Sequence, residues 1–377
     1  MSTARILIVG GGIAGVATAR ELACRGARDV LLLERDAALG TRATGRNAAI
    51  LRSVMAEPAV RRASVAGSRF LRAPPPGFSP VPLVDPCGLL MVAGTTGRAE
   101  LERWRAALAG ELELRDLAPS AIRALAPHWR GAAEIGLFAP DEGRLHVPAI
   151  LAAFERHARS GGVRFALGAR VSRLRVEGAR VTGVELADGS TLAAERVVLA
   201  AGAWSSALAR AAGSPIELVA KRRHLAVTLP SARVDPRWPV VWSLDDEFYV
   251  RVDGHGLVAC VCDQAIVPPD TDEIDPAVVA RIAARLAELV PGGGGSVELA
   301  RAWCGLRTFA ADGDFVLGPD PMLAGLVWVG GLGGHGITAS VAVARLAADW
   351  ILDEHCDDEL AVAFLPERLV RASGGAR

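Results

Sequence analysis

The apolar positions of this chain first follow the pattern of a parallel α/β protein. Ile6–Val9, Val30–Leu33 and Val197–Ala200 are short, wholly apolar runs, which are typical of strands buried on both faces of a sheet. Stretches with helical spacing follow the glycine-rich segments at Ala14–Cys24 and at Ile337–Leu352. The pattern predicts a parallel sheet covered by helices.

Two further regions follow a different pattern. Residues 53–140 are rich in proline and carry helical segments at 98–109 and 119–126. Residues 215–310 alternate between apolar and polar positions, as antiparallel strands do. We therefore predict an α/β fold with two discontinuous domains. The predicted nucleotide-binding domain comprises residues 1–52, 141–214 and 311–377, and the predicted α+β substrate domain, with an antiparallel sheet, comprises residues 53–140 and 215–310.

A glycine-rich turn joins the first predicted strand to the first helix. Gly10, Gly12 and Gly15 occupy the positions of a GxGxxG motif, and Glu34 ends the next strand 19 residues after Gly15. Gly10 permits a tight turn, Gly12 lets the backbone approach a pyrophosphate, and Gly15 lets the helix pack closely on the strand. A carboxylate at Glu34 accepts hydrogen bonds from ribose hydroxyls and repels a 2′-phosphate. The constellation predicts a Rossmann-like domain that binds FAD or NAD.

Composition and charge narrow the choice of function. The 42 Lys and Arg residues balance 42 Asp and Glu residues, and this zero net charge argues against nucleic-acid binding. Gly10–Gly12 interrupt the apolar N-terminus too early for a secretory signal, and no apolar run has the roughly 18–20 residues of a membrane helix. No CxxC pair or histidine cluster suggests a metal site. We expect a cytoplasmic protein without a metal.

Several motifs together resemble those of one enzyme family. The chain is similar over nearly its whole length to the FAD-dependent D-amino-acid oxidase, glycine oxidase and sarcosine oxidase group. Within that group it is most similar to the bacterial D-arginine dehydrogenase type. The resemblance rests on the glycine turn with Glu34-Arg35, Thr44–Ala49, Val197–Trp204, Lys221–Arg223, Ser243–Tyr249, Trp303–Gly318 and Gly330–Ser340.

The resemblance implies FAD as the cofactor. It places the adenosine at Glu34, the pyrophosphate over the glycine turn and the isoalloxazine between the two domains. Cys304 is one residue before the position at which sarcosine oxidases attach flavin, so we expect non-covalent FAD. The implied cofactor-binding residues are Gly10, Gly12, Ile13, Ala14, Gly15, Glu34, Arg35, Thr44, Gly45, Arg46, Asn47, Ala48, Val171, Gly202, Trp204, Gly331, Gly333, Gly334, Gly336, Ile337 and Thr338.

The same resemblance implies a site for the carboxylate of an amino acid. Arg307 matches the arginine that binds this carboxylate, and a planar guanidinium suits a bidentate pair. Tyr249, the only tyrosine of the chain, and Arg223 match further polar contacts. His335 either reaches the substrate or packs as an ordinary buried histidine.

The side-chain pocket departs from the D-arginine dehydrogenase type. Ile50 and Met55 stand where that type directs polar side chains at the substrate, and Leu90 lies near the position of its acidic residue. These residues predict an apolar pocket, because an unpaired cationic side chain loses hydration there without gaining a partner. A carboxylate entering from Asp245–Glu247 is the exception that would change this preference.

The expected reaction is oxidation of an α-amino acid with an apolar side chain, D-configured by family resemblance. Hydride transfer from Cα to flavin N5 gives an imino acid, which hydrolyses to a 2-oxo acid and ammonia. Three alternatives stay open: a secondary-amine oxidase, a 2-hydroxy-acid dehydrogenase with His335 as the base, and a non-catalytic flavin-binding subunit. The sequence leaves the electron acceptor open between oxygen, a quinone and an electron carrier.

Overall fold

The computed structural model describes residues 2–290, 297–354 and 359–374. The strands, in chain order, are β1 Ser2–Val9, β2 Val30–Glu34, β3 Ile50–Leu51, β4 Val84–Asp85, β5 Leu89–Ala93, β6 Arg115–Leu117, β7 Ile135–Ala139, β8 Gly143–Leu145, β9 Arg164–Leu167, β10 Val171–Glu177, β11 Arg180–Leu186, β12 Thr191–Leu199, β13 Val219–Thr228, β14 Val240–Ser243, β15 Phe248–Asp253, β16 Gly256–Cys260, β17 Leu299–Phe309, β18 Val316–Pro319 and β19 Leu326–Gly330. The helices are α1 Ile13–Cys24, α2 Pro58–Arg72, α3 Arg98–Leu108, α4 Pro119–Leu125, α5 Val147–Ser160, α6 Ser205–Ala211, α7 Pro276–Leu289, α8 Ser340–Leu352, α9 Glu359–Ala363 and α10 Glu367–Gly374.

The first sheet contains the parallel strands that the apolar runs predict. β19, β12, β1, β2 and β9 pair in parallel in that order, and β18 adds an antiparallel edge beside β19. Side chains of α1, α5 and α8, among them Val16, Phe154 and Val343, form one core cluster with the strands. In such a sheet the carboxyl ends of the parallel strands meet at one edge, where open α/β folds bind their ligands.

The second sheet is mixed, with the strand order β17-β13-β16-β15-β14-β5-β7-β6. Its pairs are antiparallel except that β14 and β5, which come from distant parts of the chain, run parallel. The sheet is thus antiparallel, as predicted, at every pair except this one. One face packs on α4 and α7 through Ile122, Ile282 and Leu286.

Two helices differ from their prediction. α8 begins at Ser340 and not at Ile337, because the preceding residues form a tighter turn closed by a hydrogen bond from the Ser340 N–H to the Ile337 carbonyl (3.2 Å). α2 lies within the proline-rich region and was not predicted. Pro58 is its first residue, a position at which the missing N–H of proline costs nothing.

The segments that form the two sheets are interleaved along the chain. The first sheet draws its strands from residues 2–34, 164–199 and 316–330, and the second from residues 89–139 and 219–309. The exact domain boundaries stay a prediction. Within the described ranges, no helix is both long and apolar enough to cross a membrane, and the cellular location also stays a prediction.

Candidate active site

A cavity of about 1070 Å³ is lined by residues of both sheets. It is larger than the roughly 300–1000 Å³ of most small-molecule pockets, which leaves room for a dinucleotide together with a substrate. We call the part around Gly10, Glu34 and Thr44 the nucleotide region. The part around Arg223, Arg307 and His335 is called the substrate region.

The glycine turn of the nucleotide region has the geometry that its motif predicts. Gly10 has a φ of +113°, in the region that favours glycine. A Cβ on Gly15 would lie 2.0 Å from the Gly10 carbonyl oxygen, so only glycine lets α1 approach the turn this closely. Gly12 precedes the first residue of α1 and lines the cavity. The N-terminus of α1 therefore faces the cavity, as a pyrophosphate site requires.

Two polar side chains beside this turn are held by the backbone. The Glu34 carboxylate accepts hydrogen bonds from the N–H groups of Gly11 (2.6 Å) and Asp36 (2.8 Å). A carboxylate has about four lone-pair sites, so it retains acceptors for a ribose. The Thr44 hydroxyl accepts a hydrogen bond from the Ile13 N–H (2.9 Å), one of the groups that a helix leaves without an intrahelical partner.

Most of the predicted cofactor-binding residues line this cavity. They are Gly10, Gly12, Ile13, Ala14, Glu34, Arg35, Thr44, Arg46, Asn47, Ala48, Val171, Gly202, Trp204, Gly333, Gly334, Gly336, Ile337 and Thr338. Gly15, Gly45 and Gly331 do not line the cavity. They allow close backbone approach or a positive φ instead. A Cβ on Gly45 would lie 2.6 Å from the Gly40 carbonyl oxygen, and Gly331 has a φ of +67°. The residues present fit an extended FAD.

Arg223 and Arg307 lie side by side in the substrate region. They come from the neighbouring strands β13 and β17, where the antiparallel register places them on the same face. The Asp263 carbonyl accepts hydrogen bonds from Arg223 Nε (3.1 Å) and Arg307 Nη2 (3.5 Å). Burial, together with the charge of Arg223, lowers the pKa of Arg307 to about 10, so both guanidinium groups are charged at pH 7.

Arg307 carries a donor without a partner. Its buried Nε forms no hydrogen bond with any residue that the structure describes. Buried polar groups in native proteins are nearly always paired, and a bidentate carboxylate is the ligand that fits a guanidinium edge. Arg307 therefore has the geometry of a carboxylate-binding residue.

A buried histidine–aspartate pair holds the two arginines, and no sequence motif predicted it. His224 is fully buried; its Nδ1 lies 2.7 Å from Asp263 Oδ2, and its N–H donates to Asp263 Oδ1 (2.9 Å). The Asp275 N–H donates to the other ring nitrogen of His224 (2.9 Å). Since the Asp263 carbonyl contacts both arginines, this pair fixes the turn that orients them.

Tyr249 is a buried residue that lines the cavity. Its ring stacks on that of Trp242, its register partner on β14, with the ring centroids 4.5 Å apart. Burial, reinforced by the nearby Cys260 thiol, raises the pKa of Tyr249 well above its usual value. The hydroxyl is therefore a neutral donor at pH 7.

Arg52 also lines the substrate region and was not predicted from the sequence. Its guanidinium carbon lies 4.2 Å from the centroid of the Trp242 ring and 5.4 Å from that of Trp104. Ile50, which was predicted, lines the cavity as well. Side chains two residues apart in an extended segment point to the same side, so the placement of Ile50 was the available signal for Arg52.

His335 lies among these cations and lines the cavity. Burial, together with the charges of Arg52, Arg307 and Arg223, lowers the pKa of His335 to about 3. The imidazole is therefore neutral at pH 7 and is a weak base. This argues against the use of His335 to take a proton from an alcohol.

The predicted apolar lining has to be corrected at Met55 and Leu90. Met55 lies beyond the end of β3 and is buried in the core with Leu71. Leu90 points to the face of β5 that packs on α4 and α7, where it contacts the cluster of Trp129. Neither residue lines the cavity, and Trp104, Trp242 and Arg52 do.

Two cysteines lie close to this site. Cys304 is buried and its thiol donates to the carbonyls of Asp272 (3.7 Å) and Glu273 (3.5 Å), outside the cavity lining. Cys262 lies beyond the end of β16 with a φ of +49° and lines the cavity. The positive φ of Cys262 marks the point at which the chain leaves the strand and turns towards Asp263.

The chain matches one known protein family over most of its length. The family described as FAD dependent oxidoreductase (DAO) matches residues 5–350, and the chain belongs to this family. The predicted fold class and group are confirmed, as are the FAD cofactor and the assignment as an oxidoreductase.

Three individual relatives share 23–36% sequence identity with this chain over the matched residues. The D-amino acid dehydrogenase of Cereibacter sphaeroides is 36% identical over 194 residues, which are 52% of this chain and 43% of that protein. The 4-methylaminobutanoate oxidase (formaldehyde-forming) of Paenarthrobacter nicotinovorans is 26% identical over 92% of this chain and 43% of that protein. The chain thus spans less than half the length of these curated relatives. The glycine oxidase structure from Geobacillus kaustophilus matches 97% of this chain and 98% of its own with a TM-score of 0.82 at 23% identity, which shows the shared fold.

Proposed function

We propose that this protein oxidises an amine that carries an α-carboxylate, with an α-amino acid of D configuration as the leading substrate class. The observation that carries the proposal is the unpaired, buried Nε of Arg307 beside Arg223 and Tyr249. The name of the Cereibacter sphaeroides relative, a D-amino acid dehydrogenase, supports the D configuration.

The chain's own residues bind and orient the substrate. Arg307 and Arg223 pair with its carboxylate, and the neutral Tyr249 hydroxyl donates a hydrogen bond to it. Bound FAD supplies the two-electron oxidation. An ammonium group loses its proton to water before the reaction, so the weakly basic His335 need not act as a base. The imino acid product hydrolyses to a 2-oxo acid and ammonia.

A secondary amine with a carboxylate is the second candidate. The relative from Paenarthrobacter nicotinovorans is named as an oxidase of 4-methylaminobutanoate, which is such a compound. The same arginines serve both candidates, since they contact the carboxylate and not the nitrogen. A 2-hydroxy acid is disfavoured, because its oxidation requires a base and His335 has a pKa of about 3.

Anaerobic bleaching of the flavin absorbance distinguishes these possibilities. The purified yellow protein is mixed with D- and L-amino acids, their N-methyl derivatives and 2-hydroxy acids, and the panel is repeated in air to identify the electron acceptor. Bleaching by carboxylate-bearing amines supports the proposal; bleaching by 2-hydroxy acids alone contradicts it, and no bleaching by any compound indicates a non-catalytic subunit. Acid precipitation in parallel should release the FAD, as the position of Cys304 leads us to expect.

A further inference from the structure

The substrate region holds one guanidinium more than an α-carboxylate needs. Arg223 and Arg307 share the Asp263 carbonyl and form one edge of the site. Arg52 comes from a separate segment after β3, and the three charges act together on the buried His335. A single carboxylate pairs with one or two guanidinium groups, so the third charge requires a different partner.

Arg52 is fixed in place by contacts that leave its charged end free. Its Nε donates to the Val54 carbonyl (2.8 Å), and its face lies over the indole of Trp242, 4.2 Å from the centroid. Its two terminal nitrogens form no hydrogen bond or ion pair with the residues described here. A guanidinium positioned by aromatic packing in this way is preorganised to bind an anion.

The carboxylates near Arg52, among them Glu57 and Glu142, act on its charge from a distance and form no ion pair with it in the described part of the chain. Glu57, Glu100 and Glu247 line the same cavity, yet within the described part of the chain none of them forms an ion pair with Arg52, Arg223 or Arg307. Asp245 lies just before Glu247, and its carboxylate instead accepts hydrogen bonds from the N–H groups of residues 94, 96 and 97.

We propose that Arg52 binds a second carboxylate, on the side chain of the substrate, so that the preferred substrate is an acidic amino acid or its N-alkyl derivative. This inference rests on the proposed function and adds the side-chain class to it. An uncharged side chain leaves the Arg52 guanidinium without a partner, and a cationic side chain repels it. The expected preference for the carboxylate over the matching amide is at least ten-fold in kcat/KM.

The test compares isosteric pairs on the FAD-loaded protein. The rate of anaerobic flavin reduction is measured for D-glutamate against D-glutamine, D-aspartate against D-asparagine, and N-methyl-D-aspartate against N-methyl-D-asparagine. The acid should exceed the amide by at least ten-fold in the pair that fits the pocket. An amide that equals or exceeds its acid in every active pair overturns the inference.

Variants of Arg52 assign the preference to this residue. Arg52→Gln should reduce the acid-to-amide ratio at least ten-fold, while Arg52→Lys should retain part of it because the positive charge remains. Arg301→Gln, an exposed arginine on β17, serves as the matched control and should keep the ratio of the natural protein. An unchanged ratio in Arg52→Gln contradicts the role of Arg52, and the isosteric pairs decide the substrate class even if this variant fails to fold.

The outcomes separate this inference from the function on which it rests. Reduction by neutral D-amino acids with no advantage for acids removes the second carboxylate site and leaves the proposed function standing. No reduction by any carboxylate-bearing amine, acidic or neutral, overturns both.

Discussion

The nucleotide region of the cavity is formed mainly by backbone groups, whereas the substrate region is formed mainly by charged side chains. In the nucleotide region, glycine backbone and the N-terminus of α1 form the wall, and Glu34 and Thr44 are held by N–H groups of the same short stretch. In the substrate region, Arg52, Arg223 and Arg307 reach the cavity from three separate elements. Their charges have no carboxylate partner among the described residues.

This difference affects how each region tolerates change. The nucleotide region depends on backbone approach distances, so an added methyl group at one glycine disturbs the whole region. The substrate region depends on charges held by a few hydrogen bonds, so a single side chain can be removed while FAD stays bound. We therefore expect lesions in the first region to abolish FAD binding and lesions in the second to change substrate use alone.

The largest effect is expected at Gly15. In Gly15→Ala the new Cβ would lie 2.0 Å from the Gly10 carbonyl oxygen, which forces α1 away from the turn; overpacking of this kind costs about 1–3 kcal/mol or more. We expect purified Gly15→Ala to contain little FAD, as measured by the ratio of flavin to protein absorbance. Gly178→Ala is the control, since a Cβ there meets nothing within 4 Å and Gly178 does not line the cavity. Its φ of +61° strains an alanine, so this variant also shows whether backbone strain alone releases FAD. A stoichiometric FAD content in Gly15→Ala contradicts the close approach.

The nucleotide region was also easier to predict from the sequence than the substrate region. A glycine motif and the acidic end of the next strand depend on neighbouring residues, and both lie where they were predicted. The substrate region depends on register. On β5, Leu90 points away from the cavity towards α4 and α7. After β3, Met55 is buried in the core, whereas Arg52, two residues from Ile50, lines the cavity.

The next largest effect is expected at Arg307. Arg307→Met removes a charge-assisted contact to the substrate carboxylate, which typically costs about 2–4 kcal/mol, or roughly 30- to 1000-fold in kcat/KM. The flavin spectrum should stay normal, because Arg307 lies in the substrate region. Arg301→Met, on the exposed part of the same strand, should leave kcat/KM near its original value. If Arg307→Met also keeps that value, the residue does not bind the substrate.

A smaller, pH-dependent effect is expected at Glu142, which supports the segment that carries Arg52. Its carboxylate accepts a hydrogen bond from the Ser53 N–H (3.0 Å), and burial raises its pKa from 4.5 to about 7. The folded state thus holds this proton more tightly than the unfolded chain. The resulting stabilisation is full below pH 4.5 and is lost as the pH rises through 7, by up to about 3 kcal/mol.

Glu142→Gln removes this titration. We expect its free energy of unfolding to fall less between pH 5 and pH 8.5 than that of the natural protein, as measured by denaturant unfolding at the two pH values. Glu102→Gln, exposed on α3, should keep the original pH dependence. Equal pH dependences in Glu142→Gln and the natural protein would show that Glu142 is charged in the folded state throughout this range.

The recognition of an α-carboxylate by the substrate region is the central claim, and one matched pair of compounds tests it most directly. The amino acid that reduces the flavin fastest is compared with its own α-carboxamide under anaerobic conditions, in the natural protein and in Arg307→Met. We predict that the carboxamide reduces the flavin at least 30-fold less efficiently in the natural protein and that this difference shrinks at least ten-fold in Arg307→Met, where Arg223 alone still pairs with the carboxylate. Equal efficiencies of the acid and its carboxamide in the natural protein would contradict the claim.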